Sequence, residues 1–237
     1  MLTELDGGAP SLGEAGAAAL AGAGNALGLL AFYRAAAVGP LSIAAPLGSL
    51  GALVPVLVGV AQGEGVGGLK LPAIALAMIG VALAARRGTP REDSGESPND
   101  RRAAAGWALL SSVGFGIFLA GMAPAADAGL FWAVALSRVS LLAIFAAVAL
   151  RLASPLRVNG RDLPRVMVPG LLLFGGTLLY TAATREGDLS VVAVLGSLFP
   201  VVTVGLAFAL LGERLTRVQG AGAVAAMVGS VLLAASR

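Results

Sequence analysis

The chain has 237 residues, 57% of them apolar and only 12% charged, where soluble chains carry about 25% charged residues. So few charges cannot build a water-facing surface, and lipid has to serve as the outer solvent. There is no Cys and no His, which excludes disulfide frameworks, thiolate catalysis and the common zinc ligand sets, and the net charge of +3 does not mark a nucleic-acid partner.

A spanning helix needs about 20 mostly apolar residues. In chain order the candidates are 16–37, 41–61, 69–85, 103–122, 129–151, 164–184, 189–211 and 218–235. They are bounded by Gly, Pro or charge, as at Gly39-Pro40, Gly63-Glu64-Gly65, Glu186-Gly187-Asp188 and Gly212-Glu213-Arg214. The expected fold class is all-α: a polytopic transmembrane bundle of about eight helices. Residues 1–15 carry Glu4, Asp6 and Glu14 but no base, unlike a signal peptide. Residues 88–102 form a polar linker with nothing to bury. It separates a three-helix unit, 1–87, from a five-helix unit, 103–237.

An internal repeat relates the two units. Tyr33-Arg34-Ala35-Ala36 returns as Tyr180-Thr181-Ala182-Ala183, and Leu47-Gly48-Ser49-Leu50 returns intact as Leu195-Gly196-Ser197-Leu198. Ser42 returns as Ser190, Gly63-Glu64 as Gly212-Glu213, and Met78-Ile79-Gly80 as Met227-Val228-Gly229. The offset drifts from 147 to 149, which two one-residue gaps absorb. Equivalent helices are five apart, an odd number, so they cross the membrane in opposite directions. An inverted-topology repeat of this kind is a construction of secondary transporters.

Several of these segments resemble the EamA family of the drug/metabolite transporter superfamily. They are Phe32-Tyr33-Arg34-Ala35-Ala36-Ala37 running into Leu41-Ser42-Ile43-Ala44-Ala45-Pro46, and Ala182-Ala183-Thr184 followed by Gly187-Asp188-Leu189-Ser190-Val191-Val192-Ala193. Leu198-Phe199-Pro200-Val201-Val202-Thr203 and Leu211-Gly212-Glu213-Arg214-Leu215 continue the likeness. The resemblance implies two five-helix units and traffic in amino acids and other small metabolites. This chain departs from it by lacking the first two helices, which would line part of the cavity.

Arg138 is the sharpest candidate for substrate contact. It lies about ten residues into the fifth expected helix, where an Arg costs roughly 2.5–3.5 kcal/mol and faces a cavity or a partner. No carboxylate lies deep in any helix to pair with it, so a backbone carbonyl or an anionic substrate group remains; the plainer reading is a snorkelling side chain. Among the small polar residues, Asn25, Ser49, Ser197 and Thr203 are substrate-binding candidates, and interhelical hydrogen bonding is the plain alternative for each. Pro46, Pro55 and Pro200 interrupt the second and seventh helices; Pro46 and Pro200 join the candidate site because broken helices often hold substrate.

Gly24–Gly28, Gly59–Gly63 and Ala225–Gly229 have the small-xxx-small spacing of close helix contacts. Tyr33 and Tyr180, with Trp107 and Trp132, read as interfacial anchors. Glu64 and Glu213 read as solvated turn charges, the alternative being a gate or a helix cap.

Twelve arginines, at 34, 86, 87, 91, 101, 102, 151, 157, 161, 165, 214 and 217, fall on one side; Lys70, Arg185 and Arg237 fall on the other. The positive-inside rule then puts the linker in the cytoplasm and both termini outside, whereas the family resemblance implies cytoplasmic termini. No nucleotide-binding Gly-rich loop, catalytic residue, metal site or cofactor is expected. The expectation is a secondary transporter in the inner (cytoplasmic) membrane, moving a small polar metabolite by alternating access, as a monomer or homodimer. The alternative is a truncated, non-transporting membrane protein or one half of a larger assembly.

Overall fold

A computed structural model describes residues 9–39, 47–65, 67–84, 98–152, 163–198, 201–202 and 216–235. Every regular element among them is helical. In order they are α1 (Leu12–Val38), a 3-10 turn (Ser49–Ala52) leading into α2 (Leu53–Ala61), α3 (Lys70–Ala84) and α4 (Pro98–Ala126). Then come α5 (Leu130–Arg151), α6 (Leu163–Glu186), α7 (Leu189–Gly196) and α8 (Arg217–Ala235). Among the described residues four helices are long and apolar enough to cross a membrane: α1, Arg102–Ala126 of α4, α5, and Met167–Glu186 of α6. Ser49–Ala61, α3 and Arg217–Leu233 of α8 are shorter apolar helices.

Local chemistry explains the boundaries. Ser11 starts α1 through a capping box: its hydroxyl accepts from the Glu14 N–H, and the Glu14 carboxylate accepts from the Ser11 N–H at 2.7 Å. Pro55 does not interrupt α2 but occupies its first turn. Having no N–H for the Gly51 carbonyl, it leaves the preceding turn to tighten into 3-10 geometry. The helix expected over 189–211 ends at Gly196, and Ser197–Leu198 form a turn. Helix resumes at 201–202, and 203–215 lie outside the described residues. The start of α4 at Pro98 makes helix of five residues expected in the linker.

With apolar lipid outside, helix association rests on close packing of small residues. In α1 and α4, a Cβ on Gly28 would sit 2.6 Å from Phe115, and one on Gly114 would sit 2.4 Å from the Gly28 nitrogen. The Gly24–Gly28 spacing thus marks a true helix contact. Across α1 and α5, a Cβ on Gly22 would meet the Ser137 carbonyl at 2.1 Å, and Ser140 Oγ donates to the Ala19 carbonyl at 2.8 Å.

The α3–α8 contact has a further property. Ala73, Ala77, Gly80 and Ala84 face Gly222, Ala226, Gly229 and Leu233, all buried. Each residue of the first set is related by 149 positions to one of the second. A Cβ on Gly80 would strike the Ala226 nitrogen at 2.2 Å; a Cβ on Gly229 would strike the Ala77 nitrogen at 2.5 Å. Those two contacts interchange under the repeat, so the surface is reciprocal, with the helices antiparallel. Reciprocal contact is what a two-fold axis produces. The contact face runs through Gly222, Ala226 and Gly229, one residue out of step with the expected Ala225–Gly229 pair.

The core joins residues far apart in sequence: Ala52, Val56, Ala73, Ile74, Ala77 and Met78 pack with Val191, Val194 and Leu233. A second cluster joins Ala18 and Ala21 of α1 to Met122, Ala125, Ala133 and Val134. Helix α6 is different. Ala21, Gly22, Gly24 and Gly28 of α1 are buried, while their repeat equivalents Val168, Pro169, Leu171 and Gly175 are not. Leu171 is 64% exposed, and a Cβ on Gly175 would meet nothing within 4 Å.

Candidate functional site

The two Leu-Gly-Ser-Leu stretches both lie where a helix breaks. Leu47 and Gly48 are helical, and Ser49 opens the 3-10 turn; Leu195 and Gly196 end α7, and Ser197 opens the turn beyond it. Ser49 is 3% exposed and Ser197 4%. The first break packs on the middle of α4, and the second reaches α4 through Tyr180. On the first, a Cβ on Gly51 would lie 2.8 Å from the Ser112 carbonyl, and Ser111 Oγ donates to the Gly28 carbonyl at 2.9 Å. On the second, Gly196 packs under the Tyr180 ring, whose hydroxyl donates to the Leu119 carbonyl at 2.9 Å. Ser197 Oγ turns back and donates to the Val194 carbonyl at 2.8 Å.

Asn25 is half-buried on α1. It precedes Phe32 by seven residues and therefore shares its helix face; Phe32 packs beside Gly48. Asn25 thus looks to the same side of α1 as the first break. Arg138 lies in mid-α5 and reaches α6, where its guanidinium donates to the Leu173 carbonyl at 3.2 Å and to the Thr177 hydroxyl. Its Nε is buried with no partner. A backbone carbonyl is therefore among its partners, and the buried Nε–H has none. Both acceptors lie mid-helix in α6, which argues against a snorkelling geometry. Pro46, Pro200 and Thr203 lie outside the described residues, as do Ser42 and Glu213.

A cavity of about 390 Å³ opens between α6 and α7, walled by Leu179, Tyr180, Val191, Val192 and Gly196, with Glu186 and Asp188 at one end. None of Arg138, Asn25, Ser49 and Ser197 lines it; Gly196 and Tyr180 connect it to the second break.

Three expectations need correction. Tyr180 is no interfacial anchor: it lies six residues inside the end of α6, stacks on Phe118 at 6.3 Å between centroids and bonds α4. Tyr33, 66% exposed, has no such burial. Glu64 is not a solvated turn charge: its carboxylate accepts from the Leu189 N–H at 2.7 Å and the Ser190 N–H at 3.2 Å, capping α7. Gly59–Gly63 is not a helix contact, since a Cβ on Gly59 would strike the Glu64 carboxylate at 2.4 Å and Gly63 is a turn residue with φ +91°. Beside the cap, Lys70 Nζ pairs with Asp188 at 2.5 Å. Sequence reasoning missed this cluster, whose one signal was the repeated Gly-Glu. Among the described residues no group of His, Cys, Asp or Glu is placed to hold a metal ion.

A family model for EamA-like transporters matches residues 102–235, more than half of the chain. No curated protein matches the sequence. A solved crystal structure is similar in fold with a TM-score of 0.74 at 15% identity, the match covering 90% of this chain and 74% of that one.

Proposed function

Because the chain belongs to the EamA-like transporter family, we propose that it is a secondary transporter of small polar metabolites, amino acids among them, working by alternating access in the cytoplasmic membrane. The observation that carries this reading is the reciprocal α3–α8 contact. Two antiparallel copies of one unit about an in-plane axis have two related conformations, one open to each side. The breaks at Ser49 and Ser197 supply backbone carbonyls and hydroxyls near mid-membrane, where discontinuous helices bind polar ligands. The unpaired Nε of Arg138 offers a donor for a carboxylate, and Asn25 adds an amide. No nucleotide, metal or cofactor has a part in this scheme.

Counterflow in proteoliposomes tests it. A panel of labelled amino acids, organic acids and amines is offered against internal unlabelled mixtures. Exchange of at least one class, lowered by Ser49→Ala and by Ser197→Ala, is expected; no exchange for any class sinks the reading.

A second reading is favoured by one observation, the bare face of α6. In it the chain acts within a larger assembly, a homodimer included, with helices of another polypeptide covering Val168, Leu171 and Gly175 as α4 and α5 cover α1. Chemical cross-linking of Leu171→Cys in membranes separates the two, because a lone transporter gives no dimer band.

A further inference from the structure

We infer that Glu64, Lys70 and Asp188 form a releasable clasp between the two units, closing one end of the path between α2 and α7, and that α7 keeps a cap of its own when the clasp opens. The inference rests on the alternating-access reading and adds the device that holds one of its two states.

The clasp is assembled from several independent features. At the end of α2 the Glu64 N–H donates to the Gly59 carbonyl at 2.9 Å and the Gly63 N–H to the Val60 carbonyl at 3.0 Å, with Gly63 at φ +91°. That is a Schellman turn, which brings the residue after the glycine back over the helix. Here the residue is Glu64, and it folds onto Gly59, whose missing side chain leaves the space its carboxylate fills. From there both oxygens take the first two N–H groups of α7, on the other unit. An α7 cap of ordinary design was available in sequence: Asp188 stands at the N-cap with extended backbone, φ −57° and ψ 133°. Its side chain makes no capping bond and holds the buried Lys70 instead.

These substitutions define a two-state exchange. In the closed state Glu64 caps α7 and Asp188 neutralises Lys70. On opening, α7 leaves Glu64, and Asp188 is free to turn to its own helix N-terminus, so the exposed N–H groups are not orphaned. Unlatching therefore trades one carboxylate cap for another. The part lost outright is the Lys70 pair, whose Asp188 side chain is already 55% exposed.

The test uses the absence of native cysteine. Val194 is fully buried one turn inside the clasp, in one cluster with Ala52 of the 3-10 turn and Val56 of α2. A Val194→Cys variant is labelled with a membrane-impermeant maleimide, from each side in turn, in spheroplasts and in inverted vesicles. Glu64→Ala should raise labelling from the clasp end about five- to thirtyfold, the shift expected when a cap-sized contact is lost. Gly59→Ala should do the same without touching α7, because its Cβ evicts the carboxylate. Asp188→Asn, which can still cap α7 but takes the carboxylate from Lys70, should also raise labelling. Labelling from both sides that neither Glu64→Ala nor Gly59→Ala changes overturns the clasp and leaves alternating access standing. Labelling from neither side in any variant overturns both.

Discussion

Placing a methyl group at Gly80 tests the reciprocal α3–α8 contact directly. The Gly80→Ala Cβ would lie 2.2 Å from the Ala226 nitrogen and 2.7 Å from the Gly222 carbonyl. Both are backbone, so no side chain can swing aside, and the helices must part by about 1 Å, a gap that forfeits a quarter to a half of each contact across it. Overpacking of this kind costs about 1–3 kcal/mol, and Gly→Ala in a helix returns about 0.5–1 kcal/mol through the backbone. A net loss of about 1–2 kcal/mol follows. Gly229→Ala meets the Ala77 nitrogen at 2.5 Å and should cost nearly the same. The double variant should cost less than the sum by about 1 kcal/mol, since one separation relieves both clashes. Gly106→Ala, whose Cβ meets nothing within 4 Å, is the control and should stabilise slightly. Unfolding in mixed detergent micelles, followed by Trp107 and Trp132 fluorescence, gives all four values. A Gly80→Ala protein as stable as the control, or fully additive losses in the double variant, would refute the reciprocity.

Three further outcomes are expected. Arg138→Met should cut exchange of carboxylate substrates at least about tenfold while sparing cationic ones, measured by counterflow, and Arg138→Lys should rescue only partly because a lysine has no counterpart of the unpaired Nε–H. Tyr180→Phe removes the bond to the Leu119 carbonyl and should lower stability by about 1 kcal/mol in the same detergent titration, whereas Tyr33→Phe should change nothing measurable. Leu171→Cys in membranes should be labelled fast by a lipid-soluble maleimide if α6 faces lipid, and slowly if helices of another polypeptide lie over it.

The helical runs and the small-residue face of α1 were legible because lipid makes them so: span length and close packing leave periodic marks. The pairing of α3 with α8 was not, because a repeat relates two helices without saying that they touch. Pro200 marked an interruption of the seventh helix, but the end of α7 as early as Gly196 was not legible. Leu198-Phe199-Pro200-Val201-Val202 continues the apolar run through the turn, and hydropathy does not register how the backbone bonds are satisfied. Gly59–Gly63 misled for a related reason. Four-residue spacing looks alike whether a glycine admits a neighbouring helix or the side chain of a residue five positions on. Tyr180 was misplaced because the end of α6 was set near Thr184 and its partner on α4 is 61 residues away. Arg138 was singled out because a guanidinium in mid-membrane has few places to go.

The α3–α8 seam is made almost wholly of alanine and glycine. Such side chains carry no rotamers to reset and no branches to interlock. Two smooth rods in contact along their length can roll or scissor past one another with little frictional penalty. If the proposed rocking between two poses takes place, this pair is suited to be the bearing rather than the moving jaw.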